Sequence, residues 1–376
     1  MYDIRKEYSI EKFEEKVKEC LAALKKTCPL ILIQGGYGKN NLGDDALLLT
    51  ITEKIKFFLP DAEIIALCHY PANVEKKYNI KAVSFKSPFL LKYILRCDLL
   101  IIGGGGIVNR INTFSGNRRL KILDMKGKFL FLTSLLVKLR RKKVIFYGVG
   151  MTSIPDVGVK ILMYLTLRFV DVLGVRDRVT YETLQKMHLT SNNVFLIHDP
   201  ALDFKEKPEQ KMSRNSLFLS KYVVISIRAV GDRDITERVE RSIKTAIKFL
   251  AEKCPGIKIV LLPVSMHPDK ELENDYLVQK RIYDDVKRQI PNVKLVCKYL
   301  HPSVTRQILA GAEMIIMARL HGLILSYDYH IQTIVLSYDT KVSEFADMGK
   351  YEYILNYDTL SGEQIIQKME YVLGKR

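Results

Sequence analysis

The sequence predicts an α/β protein of two Rossmann-like lobes facing a cleft, and three observations carry that expectation. Short apolar runs alternate with helical patterns along most of the 376 residues, which is the signature of parallel sheets covered by helices on both faces. The alternation breaks once, over residues 205–221 (KEKPEQKMSRNSLFLSK), where charge and Pro208 interrupt it. The chain is also long for one domain. The expected division is a helical extension over 1–28, an N-terminal lobe over 29–210 and a C-terminal lobe over 211–376.

Taken in order, Ile10, Phe13, Val17, Leu21 and Leu24 share one helical face behind Ser9, so the chain opens with an amphipathic helix. Strands are expected at ILIQ (31–34), EIIALC (63–68), DLLIIG (98–103), KVIFYG (143–148), DVLGV (171–175) and NVFLI (193–197). The helix after the first strand should bury Leu47, Leu48, Ile51, Ile55 and Phe58. Beyond the junction, strands are expected at YVVISI (222–227), KIVLLPV (258–264), VKLVCK (293–298), EMIIMA (313–318) and QTIVLS (332–337). No internal repeat and no low-complexity segment interrupts this order.

The 48% hydrophobic content suits packed domains rather than bulk disorder. The formal net charge of +17 implies an anionic partner. The six cysteines show neither a C-x-x-C pair nor zinc spacing, and most sit in apolar runs, so buried thiols in a reducing compartment are expected. No metal site is indicated. The first residues, MYDIRKEYSIEKFEEKV, are too charged for a signal peptide, and no apolar run approaches the roughly 18 residues of a membrane span. A cytoplasmic protein is expected, either free or in peripheral contact with the inner face of the cell membrane.

Two glycine loops follow strands. In the first, IQGGYGKNNLGDDALLL, a dinucleotide fingerprint would need glycine where Asn41 stands, and the second strand runs into His69-Tyr70-Pro71 rather than a ribose-binding acid. A P-loop would need Lys where Asp44 stands, and a carboxylate there repels a triphosphate. Asp44 either caps the following helix or presents a carboxylate at a strand end, where open α/β sheets bind ligands. The second loop, IIGGGGIVNRI (101–111), offers Gly104 and Gly105 for close backbone approach to a ligand and Asn109 to donate and accept hydrogen bonds.

Basic residues also stand where strands end: Arg176 after DVLGV, Arg228 after YVVISI, Arg319 after EMIIMA, and Lys341 after QTIVLSYD. Singly, each is read equally well as a solvated charge; together they point to an anion site. His321 lies in the strand-to-helix turn Arg319-Leu320-His321-Gly322, a place suited either to acid–base work or to a hydrogen-bonded structural role. His198, in IHDPALDF, reads as structural, with Asp199 a loop candidate.

The segments GGYGKNNLGDDALL, IIGGGGIVN, FYGVGM, GVRDRVTYETL, HDPALDF, ISIRAV, LLPVSMHPDKELENDY and MIIMARLHGLILS occur in an order that resembles polysaccharide pyruvyl transferases, over residues 30–356. The resemblance implies a glycosyltransferase B type of fold and transfer of pyruvate from phosphoenolpyruvate to two hydroxyls of a sugar, forming a cyclic ketal on a cell-surface glycan or its lipid-linked precursor. It implies no cofactor beyond phosphoenolpyruvate as co-substrate. Asp44 matches the acid after the first loop, in which Gly38 and Asn41 also lie; Arg319 and His321 match the family's R-L-H; Arg176, Arg228 and Lys341 match its basic positions. On this reading His321 is the acid–base group, Asp44 orients sugar hydroxyls, and the basic residues hold the phosphate and carboxylate. The helix before residue 29 lies outside the resemblance.

Two other readings differ in class. A glycosyltransferase of the same fold would need an acid for the ribose of a nucleotide sugar, for which Glu344 stands available. A non-enzymatic nucleic-acid binder would explain the charge but not the ordered loops, and no nucleic acid is expected. The run KFLFLTSLLVKLRRKK (128–143) is either a core crossover helix with a basic end or an interfacial segment. In the second case Phe129, Phe131, Leu135 and Leu136 would dip into lipid while Arg140, Arg141, Lys142 and Lys143 meet its anionic surface.

Overall fold

The computed structural model describes residues 3–108, 125–151, 157–189, 193–205 and 220–374. It divides into two compact units, one of Ile4–Lys39 and Gly43–Phe204, the other from Lys205 onward with Asp3 and Asn40–Leu42.

The N-terminal unit runs α1 (Ile10–Ala22), β1 (Leu30–Gln34), α2 (Leu42–Phe58), β2 (Glu63–Cys68), α3 (Pro71–Tyr78), β3 (Lys81–Ser84), α4 (Leu90–Arg96), β4 (Leu99–Val108), α5 (Met125–Leu139), β5 (Lys143–Met151), α6 (Val157–Leu167), β6 (Val172–Val175), α7 (Arg178–Lys186) and β7 (Val194–Leu196). Its sheet has the order β3-β2-β1-β4-β5-β6-β7, and every described pairing is parallel. Because both faces are covered, the central strands are apolar without alternation: Ile31, Leu32 and Ile33 are fully buried. On one face Ile31, Ile33 and Ile101 pack with Phe13 of α1 and Leu48 and Ile51 of α2. On the other, Leu32, Leu100 and Phe146 pack with Ile94 of α4, Phe131 of α5 and Met163 of α6.

Helix α1 belongs to this unit rather than standing apart as an extension. Phe13 sits edge-on to Tyr147, with centroids 4.8 Å apart, and a Cβ on Gly174 of β6 would meet its ring at 2.6 Å. On α2 the expected face is buried except at its end, where Phe58 is exposed. Helix α5 is the crossover helix of the sheet. Phe131 is fully buried and stacks on Phe146, and Phe129 packs edge-on to Phe85. Lys142 and Lys143 pair with Asp98 and Asp171 at 3.1 and 3.0 Å. The side chains expected to enter lipid therefore include a core residue, and two of the four cations expected to meet it are engaged at the strand starts.

The C-terminal unit runs β8 (Tyr222–Ser226), α8 (Arg233–Lys253), β9 (Lys258–Leu261), α9 (Asp275–Val286), β10 (Val293–Leu295), α10 (Pro302–Ala310), β11 (Met314–Met317), α11 (Leu320–Ser326), β12 (Thr333–Ser337), α12 (Thr340–Met348), β13 (Tyr353–Asn356) and α13 (Gly362–Gly374). Its sheet, also parallel in every described pairing, has the order β10-β9-β8-β11-β12-β13. Both sheets therefore reverse direction beside their first strand, between β1 and β4 and between β8 and β11. Ligands of open parallel sheets bind outside the strand C-termini at that switch point. Among the cysteines, Cys28 and Cys297 are exposed rather than buried. No described helix is long and apolar enough to cross a membrane.

Candidate active site

At the switch point of the N-terminal sheet the two glycine loops are built around protein side chains. Tyr37 is fully buried and its hydroxyl donates to the Gly103 carbonyl at 2.8 Å. A Cβ on Gly103 would lie 2.1 Å from that hydroxyl, and one on Gly35 2.4 Å from the ring. Gly104 likewise gives way to Leu47, which a Cβ would meet at 2.4 Å. So Gly35 and Gly103 make room for Tyr37 and Gly104 for Leu47, while a Cβ on Gly105 would meet only the Asp44 carboxylate, at 3.4 Å. Gly103→Ala should accordingly cost about 1–3 kcal/mol through overpacking against a hydrogen-bonded ring. Urea denaturation measures this, and unchanged stability would show that the ring is not fixed there.

Gly38 is fixed by backbone geometry. Its φ is +78°, a Cβ would lie 2.5 Å from the Tyr70 carbonyl, and its own carbonyl accepts from Asn73 Nδ2 at 2.8 Å. Asp45, fully buried, accepts from the Gly38 amide at 3.2 Å and from the Tyr78 hydroxyl at 2.7 Å. Asp45 thus closes the loop. Asp44 is half-buried and its carboxylate lies over both loops: a Cβ on Gly36 would stand 2.8 Å from Oδ2, and one on Gly105 3.4 Å from Oδ1. Asn41 folds with the C-terminal unit, in an antiparallel bridge to Ser265, with the Met266 amide donating to the Asn40 carbonyl at 2.8 Å. Asn109 lies outside the described residues.

Arg176, also in the N-terminal unit, is buried against Asp199 in an ion pair, and Asp199 accepts in addition from the Ala201 amide. The pair ties the end of β6 to the turn Pro200–Asp203. His198 bonds Asp203 at 2.8 Å, and Lys54 pairs with Asp203 and Glu14, both at 2.6 Å. Burial would raise the Asp203 pKa, but His198 and Lys54 more than offset that and hold it near about 2.

In the C-terminal unit the register aligns the basic residues. Met317 of β11 lies beside Ser226 of β8 and Val335 of β12. Arg228 and Arg319 follow two residues beyond these paired positions, at the ends of adjacent strands about 4.8 Å apart. Arg319 is bound on its Nε–Nη2 edge to Asp275, with contacts of 3.0, 3.1 and 2.5 Å. Asp275 is fully buried and also accepts from the Ser265 amide at 3.0 Å. Burial opposes the Arg319 charge, yet Asp275 more than compensates and raises its pKa. Arg319 thus enters the site already neutralised.

Arg228 differs. Its guanidinium lies 4.6 Å from the Tyr338 ring centroid and donates to the Tyr338 hydroxyl, the Ala229 carbonyl and the Leu272 carbonyl, each at 3.1 Å. These partners orient the charge without cancelling it. Tyr357, whose pKa burial pushes up, accepts from the Arg228 amide at 3.3 Å. His321 is half-buried on α11, two residues beyond Arg319, and Lys341 opens α12 with its amide bonded to the Asp339 carboxylate at 3.1 Å. Glu344 is exposed on α12.

Sequence reasoning did not find Asp275, Tyr338, Tyr357 or Asp45. Asp275 carries the clearest signal, an acid directly behind the capping Asn274, whose Oδ1 accepts from the Tyr276 amide at 3.2 Å. The tyrosines follow strands, but only the fold turns their rings toward Arg228.

Residues 41–340 match the polysaccharide pyruvyl transferase family. The amylovoran biosynthesis protein AmsJ of Erwinia amylovora is 23% identical over 266 residues. That match covers 67% of this chain and 63% of AmsJ, so the chain spans less than two thirds of the relative's length. Among solved structures, the UDP-GlcNAc 2-epimerase of Methanocaldococcus jannaschii aligns with a TM-score of 0.58 at 12% identity, over 92% of this chain and 93% of that one. The Escherichia coli ADP-heptose lipopolysaccharide heptosyltransferase II aligns with a TM-score of 0.50 at 9% identity, over 92% and 99%. These likenesses show the fold, two parallel-sheet α/β units of the glycosyltransferase B type.

Proposed function

Because the chain belongs to the polysaccharide pyruvyl transferase family, we propose that it transfers pyruvate from phosphoenolpyruvate to two hydroxyls of a sugar in a cell-surface glycan or its lipid-linked precursor. The observation that carries this reading is Arg228, oriented by Tyr338 and neutral acceptors at a strand end adjacent to that of Arg319, beside the switch point. A small anion with a phosphate and a carboxylate fits such a cation better than an extended nucleotide does.

In the proposed reaction His321 delivers a proton to the methylene carbon, leaving C2 electrophilic. One sugar hydroxyl adds at C2 and loses its proton, the C2–phosphate bond breaks, and the second hydroxyl closes the ketal. Of the two hydroxyl protons, one balances the proton gained by the methyl group and the other leaves with inorganic phosphate or solvent. Arg228 and Lys341 hold the donor, and Arg319 fixes the turn that carries His321. Asp44, over its two loops, accepts hydrogen bonds from the sugar hydroxyls.

Phosphoenolpyruvate should raise the melting temperature, while UDP-N-acetylglucosamine should not. Arg228→Ala should weaken use of phosphoenolpyruvate by about 10- to 100-fold, the worth of a charge-assisted hydrogen bond. Stabilisation by the UDP-sugar alone would transfer the chain to nucleotide-sugar chemistry.

A further inference from the structure

Helices α4, α5 and α6 lie side by side on one face of the N-terminal sheet, sharing its core through Ile94, Phe131 and Met163. Their outer sides are apolar. Phe89, Leu91, Leu132, Leu139, Ile161 and Phe169 are exposed by 48% to 72%. Single exposed apolar residues are ordinary, but a run of them across three adjacent helices is not.

The charges of this layer have one sign. The helices LLKYILR, MKGKFLFLTSLLVKL and VGVKILMYLTL contain no Asp or Glu. Exposed cations stand among and beside the apolar side chains: Lys92 and Arg96 on α4, Arg140 and Arg141 after α5, and Arg168 after α6. Lys92, Arg96 and Arg140 also line a cavity of about 580 Å³ with Lys26 and Lys142. Its acids are Glu63 and Asp98; Asp98 is taken by Lys26 at 2.7 Å and Lys142 at 3.1 Å, and Glu63 by Lys81 at 2.7 Å. The cavity therefore keeps surplus positive charge suited to a phosphate-bearing headgroup.

We infer that this α4–α5–α6 layer docks on an anionic membrane surface. Apolar side chains with basic neighbours match both parts of such a surface, the acyl boundary and the headgroups. A second copy fits less well, because a two-fold contact of an acid-free face sets cations against cations. Nucleic acid would leave the apolar side chains in water. The seat is not Phe131 and its core neighbours on the inner side of α5, but the outer side of three helices.

The test is flotation of the full chain with phosphatidylcholine vesicles containing phosphatidylglycerol, and with phosphatidylcholine alone. The wild type should float with the anionic vesicles only, and high salt should release it. Each cation near such a surface is worth about fivefold in binding, so Arg96→Gln, Arg140→Gln, Arg141→Gln and Arg168→Gln together should lose on the order of 10²- to 10³-fold. The separate variant Leu132→Ser, Ile161→Ser, Phe169→Ser should lose binding with its circular dichroism unchanged. Failure of the wild type to float, or equal flotation of wild type and both variants, overturns the proposal. So does a serine variant that dissolves a dimer in sedimentation while floating normally, since the face would then be a self-contact. Neither variant touches the proposed reaction, so vesicle binding and turnover on soluble glycans succeed or fail separately.

Discussion

Asp275→Ala should destabilise the protein by about 3–5 kcal/mol, the cost of stranding a buried charge by removing its partner. The Asp275 carboxylate is 1% exposed and the Arg319 side chain 12%, so water cannot replace the bond. The same change also frees the Ser265 amide, which donates to Asp275 at 3.0 Å. Asp275→Leu combined with Arg319→Met should recover much of the loss, since paired apolar residues leave no buried charge. Urea denaturation of the three proteins measures both effects. A loss below about 1 kcal/mol for Asp275→Ala is the value of a solvated surface pair and would contradict the buried bidentate contact.

His321→Ala should lower turnover by about 10²- to 10⁴-fold, the range for a lost general acid–base, while stability changes little. The side chain is half-buried, and α11 is anchored by Leu323, Ile324 and Leu325, all in the core. The kinetics separate catalysis from support: kcat should fall while the affinity for phosphoenolpyruvate stays near normal. Turnover close to wild type in a folded His321→Ala protein would return His321 to a structural role.

The fold was largely legible because buried parallel strands declare themselves as unbroken apolar runs. LILIQ, EIIALC and MIIM are all covered on both faces. The two strands that were missed, Lys81–Ser84 and Tyr353–Asn356, are four-residue sheet edges, the first with no buried position and the second with only Tyr353 and Leu355 buried; so short a stretch gives periodicity little to read. Phe58, the last residue of α2, is exposed although it continues the helix's apolar face. In the site, the strand-end placement of Arg228, Arg319 and His321 followed from counting residues beyond each apolar run. What each cation meets did not follow. Asp275 lies 44 positions before Arg319 in the chain, and only the topology, which sets β9 and β11 on either side of β8, brings the two together. The glycine loops are a related case: sequence shows the missing side chains of Gly35 and Gly103 but not that the ring of Tyr37 fills the space.

Phosphoenolpyruvate as donor is what the proposed reaction depends on, and one measurement tests it outright. The protein is incubated with carbon-labelled phosphoenolpyruvate and a panel of soluble and lipid-linked glycans, and the glycans are analysed by mass spectrometry alongside phosphate release. Label should appear in the glycan as a ketal, with one inorganic phosphate released for each ketal formed and no requirement for a nucleotide sugar. Glycans that remain unlabelled while a nucleotide sugar is consumed would contradict it.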